Sequence, residues 1–586
     1  MLLRSLLIGC GVFWMNQVAL AEQPPVISPR FDKLVDDEWQ RSMREAPTWA
    51  SSLGDRRYNT LWSDLSPEAI AKSQATDRAV LNELQELESQ LAPPQRLNYQ
   101  LFRREYEIRV AAQEFRWHLV PLNQREGIQD AGSLGDDLPF QTVRDYEDWL
   151  ARMRAFPKSM DQTIELMREG ARSGIIHPQI IMKRLPSQIK KQITDNPESH
   201  LFYKPFKRMP DDISPADQAR LSGEAKQLVA EAIVPAYRKF AQFFDEVYLP
   251  ACLPEVGCWQ VPQGKELYAL RCREFTTTDL TPDQIHEIGL AEVKRIRAEM
   301  EKIVQEVKFQ GTFAEFLDFL RTDPQFYYKN EADLLAAYQL LCKQIDPQLV
   351  KLFGKLPRMP YGVEAIPAHI APDTTTGYYR PPAADGSRAG TYFVNLYKPE
   401  VRPKYEMEAL SLHEAVPGHH LQIAMSHELG ELPNFRRYGG YTAYIEGWAL
   451  YAESLGDELG LYKDPYSRFG RYTYEMWRAV RLVVDTGIHH KRWTREQSIE
   501  FFASNTAKSL LDIENEIDRY IAWPGQALAY KIGELKIQEL RRRATETLGD
   551  RFDLRAFHDL ILAQGAVPLD VLEKIVEEWI QAQASR

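Results

Sequence analysis

Hydrophobic positions recur along most of this chain at the three-and-four spacing of helices rather than the alternation of strands. From 441 to 460, "YTAYIEGWALYAESLGDELG" follows a Gly-Gly break and sets Tyr444, Trp448, Tyr451 and Leu455 at spacings of four, three and four, one apolar stripe. "IHEIGLAEVKRIRAEMEKIVQEV" (285–307) keeps the same periodicity. It is introduced by Thr281, Pro282 and Gln284, a capping box with proline at the first helical position. Thr494 and Gln497 repeat the box, and Ser66-Pro67 and Ser214-Pro215 mark further helix starts. One stretch departs from this pattern. Residues 355–403 are rich in Pro, Gly, Thr and Asp, which predicts loops and short strands. Within it the aromatic and β-branched run "TYFVNLY" (391–397) predicts a strand. The fold expected is mainly α, with a small sheet whose edge lies beside the helix that carries residues 413–420 and a deep cleft where an extended chain can pair. There is no internal repeat. The loop around 250–280 sets an N-terminal helical lobe (22–250) apart from a catalytic lobe (280–586), both within one unit.

Composition narrows the function classes. The 586 residues are 44% hydrophobic and 26% charged, an ordinary globular balance. A mean hydropathy of -0.42 argues against a polytopic membrane protein. A formal charge of -11 repels phosphate backbones, so nucleic acid is not an expected partner. The first 21 residues, "MLLRSLLIGCGVFWMNQVALA", have a charged start, an apolar middle and an Ala-Leu-Ala end. They predict a secretory signal cleaved after Ala21 and a periplasmic or secreted protein. Leu7-Ile8-Gly9-Cys10 also resembles a lipoprotein box, but it lies early in the apolar run, so anchoring through Cys10 is the weaker expectation. Beyond the signal, Cys252 and Cys258 flank "LPEVG". They are either a short-loop disulfide or, with Cys272 and Cys342, buried free thiols.

The octet "HEAVPGHH" (413–420) carries the candidate chemistry. Hydrolysis at zinc needs three protein ligands, an open position for water, and a base beside that water. His413 and Glu414 suit a ligand and the base. The position four residues after His413, where a regular helix would bring a second histidine to the same ion, is Pro417. His419, six residues on, is rotated about 600° and faces elsewhere; His420, seven on, is about 10.5 Å further along the axis. Pro417 and Gly418 make a regular helix doubtful, and a bulge there would bring His419 round to His413. On this octet alone, a helix that stops at Val416 before two solvated histidines is the competing reading. Glu446, set between large apolar residues, supplies the carboxylate that usually completes a two-histidine site. Glu453, seven residues on, shares its face and reads either as a carboxylate that supports a ligand or, rather, as an ordinary exposed acid.

Together, "HEAVPGHHLQ", "EGWALYAE", "RLVVDTGIHHKRWTREQ" and "RYIAWPGQALAYKIGELKI" resemble the bacterial DUF885 family. "REAPTWASSLGDRRYN" and "FTTTDLTPDQIHEIGLAEV" extend the resemblance over most of the chain. It implies a largely helical, gluzincin-like zinc metallopeptidase-related protein. Aligning Gly418-His419 with the Gly-His of such sites implies His413, His419 and Glu446 as ligands of one zinc ion, with His420 the alternative to His419.

The expected function is a zinc-dependent hydrolase, a peptidase cleaving peptides with Glu414 as general base. Tyr530, His489 and Arg478 (or Arg481) are candidates to stabilise the oxyanion, with Asp485 four residues before His489 placed to orient its imidazole. "GYYRPP" (377–382) is a candidate cleft wall. Two rivals share these residues: a non-catalytic zinc-containing binding or scaffold protein, and a zinc amidase or esterase acting on non-peptide bonds.

Overall fold

The structure, a computed structural model, describes residues 28–368, 371, 375–382, 388–430 and 432–585. The segment read as a signal, with Cys10, lies outside them. The helix starts are built as their sequences dictate. In the Thr281 cap the hydroxyl accepts from the Gln284 N–H at 3.3 Å while the Gln284 side chain accepts from the Thr281 N–H at 2.9 Å, and Thr494 with Gln497 forms the same box. The elements that position the site are α1 (Pro282–Glu306), β1 (Tyr361–Ala365), β2 (Gly377–Arg380), β3 (Gly390–Val394), α2 (Met407–Glu414), α3 (His419–Glu428), α4 (Thr442–Ser454), α5 (Pro465–His489), α6 (Leu510–Ala522) and α7 (Ala529–Leu548).

Helix α5 runs through the interior, and every residue from Thr473 to His489 is buried. Its apolar positions join a core that runs from Leu122 to Val256 and from Val293 to Ala527, so both lobes feed one interior. Helix α1 lies along α5, and α4 lies along α7. The second pair crosses at two glycines. A Cβ on Gly447 would stand 2.5 Å from the Gly533 Cα, and one on Gly533 would stand 1.8 Å from the Ala443 carbonyl oxygen. Only residues without Cβ allow this approach.

The three strands are ordered β1-β3-β2, with β1 parallel and β2 antiparallel to β3. The strand expected at 391–397 is thus the central strand rather than an edge. Its composition explains why: Tyr392 and Val394 pack in one apolar cluster and Phe393 in another, so both faces are covered. The edge beside the candidate site is β2. The four cysteines at 252, 258, 272 and 342 are buried free thiols, which excludes the short-loop disulfide in this structure. Among the described residues no helix is long and apolar enough to cross a membrane.

Candidate metal centre

Pro417 and Gly418 divide the helix into two. Helix α2 stops at Glu414, Ala415 and Gly418 leave helical geometry (ψ -108° and -127°), the Val416–Pro417 peptide is cis, and α3 begins at His419. The break is held from both sides. His420 N–H donates to the Ala415 carbonyl at 3.0 Å, and the Trp448 indole of α4 donates to the Pro417 carbonyl at 2.8 Å. A Cβ on Gly418 would fall 2.0 Å from the His413 carbonyl oxygen and 2.4 Å from that of Leu412, so the turn requires glycine. The expected bulge is therefore a full interruption, and it has the expected consequence. The rings of His413 and His419 come to 4.8 Å between centroids, nearly perpendicular.

Glu446 arrives from α4. Its Oε2 lies 3.5 Å from His413 Nε2 and 3.4 Å from His419 Nε2. Neither contact has hydrogen-bond geometry, and this oxygen is buried without a hydrogen-bond partner. Two ligands each about 2.1 Å from one ion at the tetrahedral angle stand about 3.4 Å apart. The two Glu446 spacings are thus those of ligand atoms around a shared ion, and all three candidate ligand atoms lie within 4.8 Å of one another. Among the described residues, these three form the His/Cys/Asp/Glu group compact enough to hold a metal. His420 points its chemistry elsewhere: Nδ1 meets the Tyr379 hydroxyl at 2.8 Å and Nε2 the Met359 carbonyl at 3.1 Å.

Glu453 is buried rather than exposed, because its helix face packs against α2. Its Oε1 lies 2.8 Å from His413 Nδ1, and Arg478 stands 3.6 Å from the same oxygen. This contact leaves Nε2 of His413 facing Glu446. Burial alone would push the His413 pKa down, but Glu446 and Glu453, with the charge of Glu414, outweigh it and raise it to about 9. Burial likewise opposes ionisation of Glu446, yet His419 and His413 hold it well below the usual carboxylate range. Burial dominates at Glu414 and raises its pKa.

His413, Glu414, His419 and Glu446 line a cavity of about 260 Å³, shared with Gly377, Tyr378 and Tyr379 of β2 and with Arg478, Arg481 and Tyr530. The "GYY" segment therefore lines this cavity. Arg478 lies against Tyr474 and Trp477 at 4.7 Å and donates to the Tyr474 carbonyl. The Tyr530 hydroxyl accepts from Arg519 at 3.3 Å, beneath the Arg481 guanidinium. His489 does not line this cavity. Its Nδ1 accepts from the Cys258 N–H at 3.0 Å and its Nε2 meets the Tyr520 carbonyl at 2.9 Å, so it ties backbone segments together and has no nitrogen left for an oxyanion. Asp485 does not orient it either; that carboxyl accepts from the Tyr268 hydroxyl at 2.6 Å and the Gly525 N–H at 3.1 Å. Three charged wall residues escaped the sequence reading: Arg125, Glu516 and Arg519. Glu516 and Arg519, three apart on an otherwise apolar helix face, were the available signal.

Residues 47–576 match the model of DUF885, described as bacterial protein of unknown function, and the chain belongs to that family. A solved structure from Colwellia psychrerythraea, described as a "putative lipoprotein", is similar at TM-score 0.90 and 31% identity, covering 94% of this chain and 99% of that one. One from Shewanella oneidensis, described in the same words and as of unknown function, shares the fold at TM-score 0.72 and 18% identity, covering 93% and 98%. No curated protein matches the chain.

Proposed function

We propose that this protein is a zinc-dependent peptidase acting outside the cytoplasm. The observation that carries the reading is the Glu446 oxygen, buried without a hydrogen bond and 3.4–3.5 Å from two histidine nitrogens. Such an oxygen is costly in a metal-free protein and ordinary beside a cation. A bound zinc would supply Lewis acidity and a water of lowered pKa. The chain's own groups do the rest. Glu414, whose burial raises its proton affinity, takes a proton from the attacking water and returns it to the leaving amine. Arg478 and the Tyr530 hydroxyl donate to the oxygen on which charge develops. Glu453 holds the His413 ring in register. The outer edge of β2, which among the described residues pairs only with β3, offers backbone groups to an extended peptide. Export fits the apolar leader and the lipoprotein description of both solved relatives.

Mass-spectrometric profiling of a mixed peptide library tests this directly. Hydrolysis is expected, abolished by chelator and restored by zinc. Glu414→Gln is expected to keep its metal and lose about 10²–10⁴-fold in turnover. Undiminished cleavage by Glu414→Gln contradicts the mechanism. Bound zinc without any turnover would favour a binding protein, and turnover confined to non-peptide bonds an amidase or esterase.

A further inference from the structure

The cavity's other wall carries more positive charge than its partners neutralise. Glu516 of α6 accepts from Arg481 at 3.0 Å, Arg519 at 3.2 Å, Arg125 at 3.4 Å and the Tyr520 hydroxyl at 2.9 Å. One carboxylate thus serves three guanidinium groups, a formal surplus of two positive charges (3 − 1). Donors remain unused: Nη1 of Arg481 and Nε of Arg519 are buried without a hydrogen bond, and the Arg481 side chain is only 3% exposed. Some buried cations elsewhere are fully matched. Buried Lys531 has three carboxylates, Glu292, Glu475 and Glu534, within 3.0 Å, and buried Lys508 has Glu406 at 2.7 Å. The metal end would have no anion to spare either, since Arg478 and a bound divalent ion would offset Glu414, Glu446 and Glu453. Buried charge without a partner is costly, and it concentrates where a ligand completes the pairing.

We propose that Arg481, Arg519 and Arg125 bind a carboxylate of the substrate, so that the preferred substrates are peptides bearing a free carboxylate close to the scissile bond. This rests on the peptidase reading. The planar fork of arginine matches a carboxylate in two hydrogen bonds. The volume of about 260 Å³ lies below the roughly 300–1,000 Å³ of sites that take drug-sized ligands. The anion and the reacting bond are therefore close together, as in the last residue of a chain. The C-terminal carboxylate is one source of this chemistry and an acidic side chain is the other.

The test reads binding in the zinc-supplemented Glu414→Gln protein by calorimetry, using an N-acetyl dipeptide acid, its C-terminal amide, and the amide with glutamate as last residue. At least one carboxylate peptide is expected to bind about tenfold or more tighter than the neutral amide. Preference for the free acid identifies a C-terminal carboxylate; recovery by the glutamate amide identifies a side chain. Arg481→Gln is expected to remove most of the preference. So is Arg125→Gln, a half-exposed position whose replacement leaves the core intact. Equal affinity for all three peptides, binding of none, or a preference unchanged in both arginine variants would overturn the proposal. Because binding is read in a variant that does not turn over, this result is separate from the presence or absence of hydrolysis in the wild type.

Discussion

Two pairs of histidines look alike in the sequence and differ in the structure. His413 and His419 flank the helix break and turn their Nε2 atoms toward a carboxylate oxygen that has no hydrogen bond. His420 and His489 have both ring nitrogens engaged, with a hydroxyl and a carbonyl in one case and a backbone N–H and a carbonyl in the other. Satisfied imidazoles are neutral structural parts, and burial lowers the pKa of each of the second pair to about 4. The first pair faces carboxylates on both sides of His413, and there the pKa moves the other way. Partner atoms, not burial, separate a candidate ligand from a strut.

That contrast can be sharpened at Glu453. Replacing the carboxylate that holds His413 while leaving all three candidate ligands is expected to cost 10–100-fold in zinc affinity. Competition with a chromophoric chelator measures it, and an unchanged affinity in Glu453→Gln would make Glu453 a packing residue only.

The strut class makes a smaller prediction. His177, His200, His489 and His558 are all pushed by burial to about 4. Between pH 6.5 and 4 the unfolded chain binds protons there that the folded chain does not. Stability is therefore complete above pH 6.5 and is lost as pH falls through that window, each group approaching about 1.4 kcal/mol per pH unit. Asp485, raised by burial to about 7 despite the Tyr268 bond, opposes this by one proton. His489→Gln should lower stability at neutral pH yet flatten the acid limb by about one proton. Denaturant midpoints between pH 4 and 7 read both effects, and an unchanged slope would contradict the assignment.

Local rules made much of this readable in advance. The capping boxes at Thr281 and Thr494, the aromatic stripe of α4 and the helix-breaking Pro417-Gly418 are each decided within a few residues, and each stands in the structure. Glu446 was visible because a carboxylate between aromatic residues calls for a partner. What the sequence concealed depends on distant segments. Asp485 and His489 have helical i,i+4 spacing, but Tyr268 and Cys258 claim them from more than 200 residues away. Arg125 reaches Glu516 across 391 residues, a contact that no spacing rule predicts. The strand at 391–397 is legible in its residues, but its central place in the sheet is not, since that depends on what covers each face.

The claim that His419 rather than His420 joins His413 and Glu446 is tested most directly by the metal content of purified protein. Elemental analysis of wild type, His419→Ala and His420→Gln after equilibration with zinc and removal of excess should give about one ion per chain in the first and third and none in the second. Zinc retained by His419→Ala and lost from His420→Gln would contradict the account.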